Sequence, residues 1–190
     1  MSTAAEIERF EALYRESPDP WGYSTSSYER DKYAATLAAL PERSCGLCLE
    51  VGCSIGVFTA QLAARCGHLV AIDFSPSALE LARERLQGAR NVDLLRAVFP
   101  SDVPAGSWDL ILCSEVLYYL HEPALAEALS WLSAQVSEGA SVLAVSWRGP
   151  GRDEPHTGDE VHDRLARELS AWHTLDARRD RYRLDRFDGP

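Results

Sequence analysis

Between Gly46 and Trp147 the chain repeats one pattern: a short apolar run, a turn, then residues at helical spacing. The apolar runs are "GLCLEVG", "HLVAIDF", "VDLLRAV", "WDLILCS" and "ASVLAVSW". Among them lie the helical stretches "GVFTAQLAARC", expected to end at Gly67, "SALELARERLQ" and "PALAEALSWLSAQVS". Ser75-Pro76 opens the second of these helices and Gly88 stops it, which suits the preferences of proline and glycine at helix ends. Strands alternating with helices imply right-handed crossovers and a mostly parallel, doubly wound sheet. Two further runs, "WHTLDARR" and "RYRLDRFD", read as strands joined at Asp180. So short a link makes them an antiparallel hairpin. The expected fold is therefore α/β, a seven-stranded, mostly parallel Rossmann-like sheet ending in an antiparallel hairpin.

Helices frame this core. Residues 4–16, "AAEIERFEALYRE", place Ile7, Phe10, Leu13 and Tyr14 on one face. The polar loop "SPDPWGYSTSS" follows, and Ser26 with Glu29 signals a capping box for a helix reaching Leu40, where Pro41 stops it. A second capping box, Thr157 with Glu160, starts "GDEVHDRLARELSA". With 190 residues and no repeat or low-complexity segment, the chain is expected to be one domain. Residues 1–42 would form a helical lid and residues 43–190 the α/β core.

Composition narrows the partners. The chain is 46% hydrophobic and 25% charged, ordinary for a soluble globular protein. A formal charge of −10 argues against nucleic acid, which wants a basic surface, and is compatible with an amine-bearing small molecule. No apolar run reaches the roughly 18 residues of a membrane span. "MSTAAEIERF" lacks a signal peptide's basic start, so the cytoplasm is the expected location, with a monomer or weak dimer as the expected state. Five cysteines, an odd number, fit a reduced compartment. Cys45, Cys48, Cys53, Cys66 and His68 contain a C-x-x-C, but Cys48 falls in a buried strand, so buried thiols are expected and no metal.

The turn after the first strand, "CLEVGCSIGVFTA", carries the chemistry. Ligands of doubly wound sheets bind beyond the carboxyl ends of the strands. A dinucleotide fingerprint starting at Gly52 would need glycine at positions 54 and 57, where the chain has Ser54 and Val57. The glycine spacing is also wrong for a P-loop, and no Gly-Lys-Ser/Thr follows. What survives is a strand-end acid, Glu50, a turn with Gly52 and Gly56, and Asp73 about 20 residues on, the separation of a ribose-binding carboxylate. A ribose without a diphosphate suggests S-adenosylmethionine.

"LEVGCSIGVFTAQLA", "AIDFSPSALELAR" and "DLILCSEVLYYL" resemble the core motifs of class I S-adenosylmethionine-dependent methyltransferases. "DPWGYSTSSYERDKYAATLAALP", "SWRG" and "TGDEVH" narrow the resemblance to the nodulation protein S (NodS) family, enzymes that N-methylate the amino sugar of a de-N-acetylated chitooligosaccharide. The resemblance implies that Glu50, Gly52, Ser54 and Gly56 line the methionine and ribose portion of the cofactor. It further implies that Asp73 binds the ribose, Phe74 flanks the adenine, and Ala97, Val98 and Phe99 line the adenine pocket. Many class I enzymes carry an acid here for the adenine amine. This chain does not, leaving the backbone or Ser101 and Asp102. A main-chain carbonyl of Cys113 or Ser114 would hold the methionine ammonium.

The fourth strand ends at "CSEVLYYL", the position from which such enzymes approach the reactive methyl. Methyl transfer mainly requires an aligned nucleophile and excluded water. Glu115 is the candidate to orient an amine and accept its proton, with Tyr119 beside it. Tyr118, Trp147, Arg148 and His156 are candidates for the acceptor site, the last three on the long loop after the fifth strand; His162 is a further possible base. Trp21 is expected to close over cofactor or acceptor, with Tyr28, Arg30 and Tyr33 beneath and Arg30 pairing with the methionine carboxylate. The leading expectation is N-methylation of an amine, with an amino sugar or sugar-containing molecule as acceptor. O-methylation of a small metabolite and non-catalytic cofactor binding are the alternatives, and a nicotinamide oxidoreductase is an outsider.

Overall fold

The computed structural model describes residues 4–149 and 154–190. Its thirteen main elements run α1 (Ala4–Glu16), α2 (Ser27–Ala38), β1 (Cys45–Val51), α3 (Val57–Leu62), β2 (Cys66–Asp73), α4 (Pro76–Arg85), β3 (Val92–Arg96), β4 (Leu110–Ser114), α5 (Ala124–Ser137), β5 (Ser141–Trp147), α6 (Gly158–Glu168), β6 (His173–Arg178) and β7 (Tyr182–Asp188). The strands form one seven-stranded sheet in the order β3-β2-β1-β4-β5-β7-β6. The first five run parallel, and β7 is antiparallel to both of its neighbours. Strand order reverses between β1 and β4, so their carboxyl ends frame the crevice where such sheets hold ligands.

Alternation along the strands divides the core. Leu49, Val51, Ile111 and Val142 point to one face, where Leu125, Leu129 and Leu132 of α5 and Leu165 of α6 bury them. Cys48, Leu69, Leu112 and Leu143 point to the other, under Tyr33 of α2 and Phe58 and Leu62 of α3. Glu50 shares the parity of Cys48 and so faces the α2–α3 side, a charged group at the end of an apolar row.

Helix signals held with two adjustments. Thr157 and Glu160 form the full capping box, whereas Ser26 caps α2 alone, because the Glu29 carboxylate turns inward to Lys32. The helix expected to reach Gly67 ends at Leu62; a 3-10 turn, Ala63–Arg65, follows and β2 already starts at Cys66. Cys45 pairs with Cys66 across β1 and β2, and all five cysteines are buried free thiols. Among the described residues no cluster of three His, Cys, Asp or Glu side chains is placed to hold a metal, and no helix is long and apolar enough to cross a membrane.

Candidate functional site

The turn after β1 is locked to the end of β2. The amides of Gly52 and Cys53 both donate to the Ile72 carbonyl, at 2.8 and 3.0 Å. Gly52 has φ +74°, and a Cβ there would lie 2.4 Å from Cγ2 of Val116 in the loop after β4. Only glycine fits a turn that is both left-handed and this close to its neighbour. Ser54, at φ +51°, directs its amide to Asp73 Oδ2 (2.9 Å), while the Ser75 amide donates to Asp73 Oδ1 (2.9 Å). Each carboxylate oxygen keeps an acceptor position for a ligand. Burial pushes the Asp73 carboxyl up to about 6, even though the Ser75 and Ser54 amides pull it down.

Above this turn lies a cavity with about 810 Å³ of empty space, part of it open to solvent. Its floor comes from Gly52, Ser54, Asp73, Phe74, Ala97 and Phe99, and its far wall from Ser114, Glu115, Val116, Tyr119 and Leu120. The roof is the N-terminal segment. Glu6, Phe10 and Tyr14 project at four-residue spacing from one face of α1, joined by Trp21 and Tyr23. Phe10 meets Phe74 edge-on at 5.5 Å and Tyr119 at 5.2 Å, spanning the crevice. Trp21 packs against Phe10, Tyr14 and Tyr23 at 5.5–5.9 Å. Polar contacts pin α1 down: Tyr14 hydroxyl to Ser54 Oγ at 2.6 Å, the Glu11 carboxylate on the hydroxyls of Ser75 and Ser77 at the start of α4, and Glu6 Oε1 to His121 Nε2 at 3.2 Å. The phenols of Tyr14 and Tyr119 are shifted up by burial, so they stay protonated and present neutral rings to the cavity.

A smaller chamber, with about 360 Å³ of empty space including its open part, adjoins this cavity and shares Gly52, Ser54, Ser114 and Tyr23 with it. It is lined by Glu29, Lys32, Tyr33, Glu50 and Glu115. Lys32, only 1% exposed, contacts Glu29 Oε2 at 3.0 Å and Glu115 Oε1 at 2.6 Å. Burial opposes its charge, but the two carboxylates prevail and raise its pKa, so it remains an ammonium. Glu50 is 3% exposed, and its Oε2 has no hydrogen-bond partner among the described residues. Burial, reinforced by the Asp73 charge, pushes the Glu50 carboxyl up to about 8. An orphaned buried carboxyl oxygen of this kind calls for a hydrogen-bond partner from elsewhere.

Of the residues singled out in the sequence, the structure gathers Trp21, Glu50, Gly52, Ser54, Asp73, Phe74, Phe99, Ser114, Glu115 and Tyr119 around the two adjoining spaces. Others stand apart, and those expectations are corrected. Arg30 is exposed and bonds the Thr25 carbonyl, because it points away from the α2 face that carries Glu29, Lys32, Tyr33 and Thr36 inward. Gly56 is the left-handed N-cap of α3 and packs on Ala82, away from the cavity. Val98 is held in a turn by Asp102, and its neighbours Ala97 and Phe99 do the lining; Ser101 and Asp102 serve that turn. Tyr118 is buried and donates to Glu115 Oε2 at 2.7 Å. Arg148 pairs with Asp159 and the Arg179 carbonyl. Neither Trp147 nor His156 lines the cavity, although the Trp147 amide donates to Glu115 Oε2 at 2.9 Å. His162 is fully buried against Asp185. Residues 150–153 of the same loop lie outside the described residues. Tyr28 stacks under Arg181 instead of reaching the cleft.

Sequence reasoning passed over Lys32, Phe10 and Tyr14 as site residues. The signal for Lys32 was its spacing from Glu29, Tyr33 and Thr36, which marks one helix face. For Phe10 and Tyr14 it was the four-residue repeat that begins at Glu6.

Comparison with known proteins agrees with this geometry. The sequence model of the family "Nodulation protein S (NodS)" matches residues 6–143, most of the chain. Nodulation protein S of Sinorhizobium fredii (strain NBRC 101917 / NGR234) is 31% identical over 122 residues, 63% of this chain and 56% of that protein. The corresponding Bradyrhizobium diazoefficiens protein is 34% identical over 105 residues, 55% of this chain and 50% of its own length. The chain thus spans about half the length of the curated relatives it matches. Among solved structures, a provisionally described methyltransferase from Pseudomonas syringae is 36% identical, with a TM-score of 0.74 over 86% of this chain and 99% of that one. The N-methyltransferase NodS of Bradyrhizobium japonicum WM9, solved with S-adenosyl-L-homocysteine, superposes with a TM-score of 0.79 over 97% of this chain and 98% of the other at 22% identity, a likeness of fold. With the matched region covering the turn, Asp73 and the wall after β4, this chain belongs to the NodS family.

Proposed function

We propose that the protein is an S-adenosylmethionine-dependent N-methyltransferase whose acceptor is an amine of a small molecule, an amino sugar in the first instance. The observation that carries this reading is the pairing of the two spaces. An aromatic cavity with the Asp73 carboxylate on its floor adjoins a chamber holding both a buried cation and an acid with one unpartnered oxygen. A nucleoside suits the first and a zwitterionic amino-acid end suits the second.

The residues present fit the cofactor. Asp73 would accept the ribose hydroxyls through the lone pairs that Ser54 and Ser75 leave open. Phe74, Ala97 and Phe99 would flank the purine. Lys32, in place of the expected Arg30, would face the carboxylate, and Glu50 with a strand-end carbonyl would receive the ammonium. When bound, the sulfonium supplies an electrophilic methyl group. The protein's own part is to hold the acceptor in line and keep water out, which the roof of Phe10, Tyr14 and Trp21 is placed to do. Tyr119 presents a ring face to a cationic or sugar-bearing acceptor.

Family membership and the aromatic, acid-bordered cavity support an amine over a hydroxyl. Titration calorimetry with S-adenosylhomocysteine tests the cofactor. Incubation with S-adenosylmethionine and either a chitosan oligomer or its fully N-acetylated counterpart tests the acceptor. Methyl groups should appear only on the free amine; methylation of the acetylated chain, or of oxygen, would overturn the assignment.

A further inference from the structure

Glu115 is the first residue beyond β4 and is one of two non-glycine residues with positive φ among the described residues, at +57°. A side chain held in that region is disfavoured unless its surroundings fix it. Here they do. Its amide donates to the Val145 carbonyl of β5 at 2.8 Å. Its carboxylate receives Lys32 Nζ on Oε1 at 2.6 Å, and the Tyr118 hydroxyl and Trp147 amide on Oε2 at 2.7 and 2.9 Å. Three of roughly four acceptor positions are therefore filled, by donors from α2, the turn after β4 and the end of β5.

Helix α2 takes no part in the sheet. It rests on α3 through the stacked rings of Tyr33 and Phe58, 4.8 Å apart, and on β7 through Arg186 to the Ala39 carbonyl at 2.8 Å. Toward the cleft it is fastened by Lys32, with Glu29 at its side as a second counter-charge. Removing one member of a buried charge pair leaves the others uncompensated, so the group acts as a unit.

We propose that Glu115 is a positioning residue: with Lys32 it forms the joint that fixes α2, and the N-terminal roof preceding it, against the ends of β4 and β5. This rests on the methyltransferase reading, and it sets aside Glu115 as the proton acceptor expected from the sequence. A carboxylate that holds three walls together shapes the cavity through its neighbours.

The test is a double-mutant cycle on the full chain with Lys32→Met, Glu115→Gln and the pair, plus Lys32→Arg as the conservative variant. S-adenosylhomocysteine affinity, acceptor KM and kcat, the pH profile of kcat/KM, and chymotryptic cleavage of the 17–26 loop after Trp21 or Tyr23 are read for each. Each single variant should weaken S-adenosylhomocysteine about tenfold, raise acceptor KM and speed cleavage, with the double variant close to the worse single one. Lys32→Arg should restore binding to within about threefold. The acidic limb of the kcat/KM profile should stay where it is in Glu115→Gln. Loss of that limb with affinity, KM and cleavage unchanged would make Glu115 the base and overturn the proposal, as would strictly additive effects. If wild-type protein fails to bind S-adenosylhomocysteine, the methyltransferase reading falls. The joint is then decided by the cleavage rates and by the same cycle on thermal unfolding, where additivity overturns it. If Lys32→Met or Glu115→Gln fails to fold, Lys32→Arg with Glu115→Asp replaces them: the Arg-Asp pair must cleave more slowly than Glu115→Asp alone, or the joint is refuted.

Discussion

Replacing Glu50 by glutamine probes the electrostatics of the inner chamber while keeping its shape. In the folded protein burial, with the Asp73 charge adding to it, holds the Glu50 carboxyl at about 8 against an ordinary value of 4.5. The folded chain therefore binds more protons than the unfolded chain between those two values, and stability falls as pH rises through that window. Below about 4.5 both states carry the proton and nothing is lost; above about 8 the loss is complete. At about 1.36 kcal/mol per pH unit the full window is worth at most about 5 kcal/mol, an upper limit that any water entering the chamber lowers. Glu50→Gln abolishes this contribution. Urea unfolding of both proteins at pH 5, 7 and 9 under reducing conditions should give a wild-type minus variant difference that grows steadily against the wild type. Asp73, raised by burial to about 6, titrates in both proteins, so its share cancels in the comparison. The acids held low by their partners, Asp185 beside His162 and Asp188 beside Thr174 among them, act in the opposite sense and only as pH falls below the ordinary carboxylate range. A variant whose stability tracks the wild type at all three pH values would refute the reasoning.

Ligand binding should report the same acid. If the cofactor's ammonium is seated beside Glu50, S-adenosylhomocysteine should release close to one proton per site at pH 7 and far less at pH 9. Calorimetry in phosphate and in Tris measures it; methylthioadenosine, which lacks the amino-acid end, should release none, and equal release would exclude Glu50 as the source. Asp73→Ala should cost about 1.5–3 kcal/mol of S-adenosylhomocysteine affinity through lost charge-assisted hydrogen bonds; unchanged affinity would remove Asp73 from the site. Gly52→Ala should lower stability by about 1–3 kcal/mol, since it places a Cβ in a left-handed turn against Val116. Val116→Ala should recover part of that loss in thermal unfolding, and no recovery would show that backbone strain alone matters.

Much of the site was legible because its determinants are local. Four of the first five strands carry nearly continuous apolar runs, and β1 and β2 each have an acid among their last two residues, so the turn at Gly52 and the carboxylate of Asp73 announce themselves. Position 67 misled because glycine after a helical pattern reads as a stop, whereas here the chain is already in β2. Arg30 and Lys32 were exchanged for a different reason. Both are cations on one amphipathic helix, and a charge on a helix is normally solvated; only burial of the face bearing Glu29, Lys32, Tyr33 and Thr36 distinguishes them. Arg148 and Tyr118 have the chemistry of ligand-binding groups, but their partners Asp159 and Glu115 already engage them.

By itself the sequence determined the elements, the parallel core, the absence of a diphosphate-binding loop and the ribose-type carboxylate, because periodicity, caps and spacing act over a few residues. The tertiary structure decided which strand of the C-terminal hairpin adjoins β5. Inserting β7 there places Leu184 and Phe187 in the core and leaves β6, with its alternating exposure, at the edge. Tertiary packing also decided what Glu115 touches, since its partners come from α2, 83 residues away, and from β5, 32 residues away. Such pairings depend on how distant segments dock, and no local pattern along the chain encodes that.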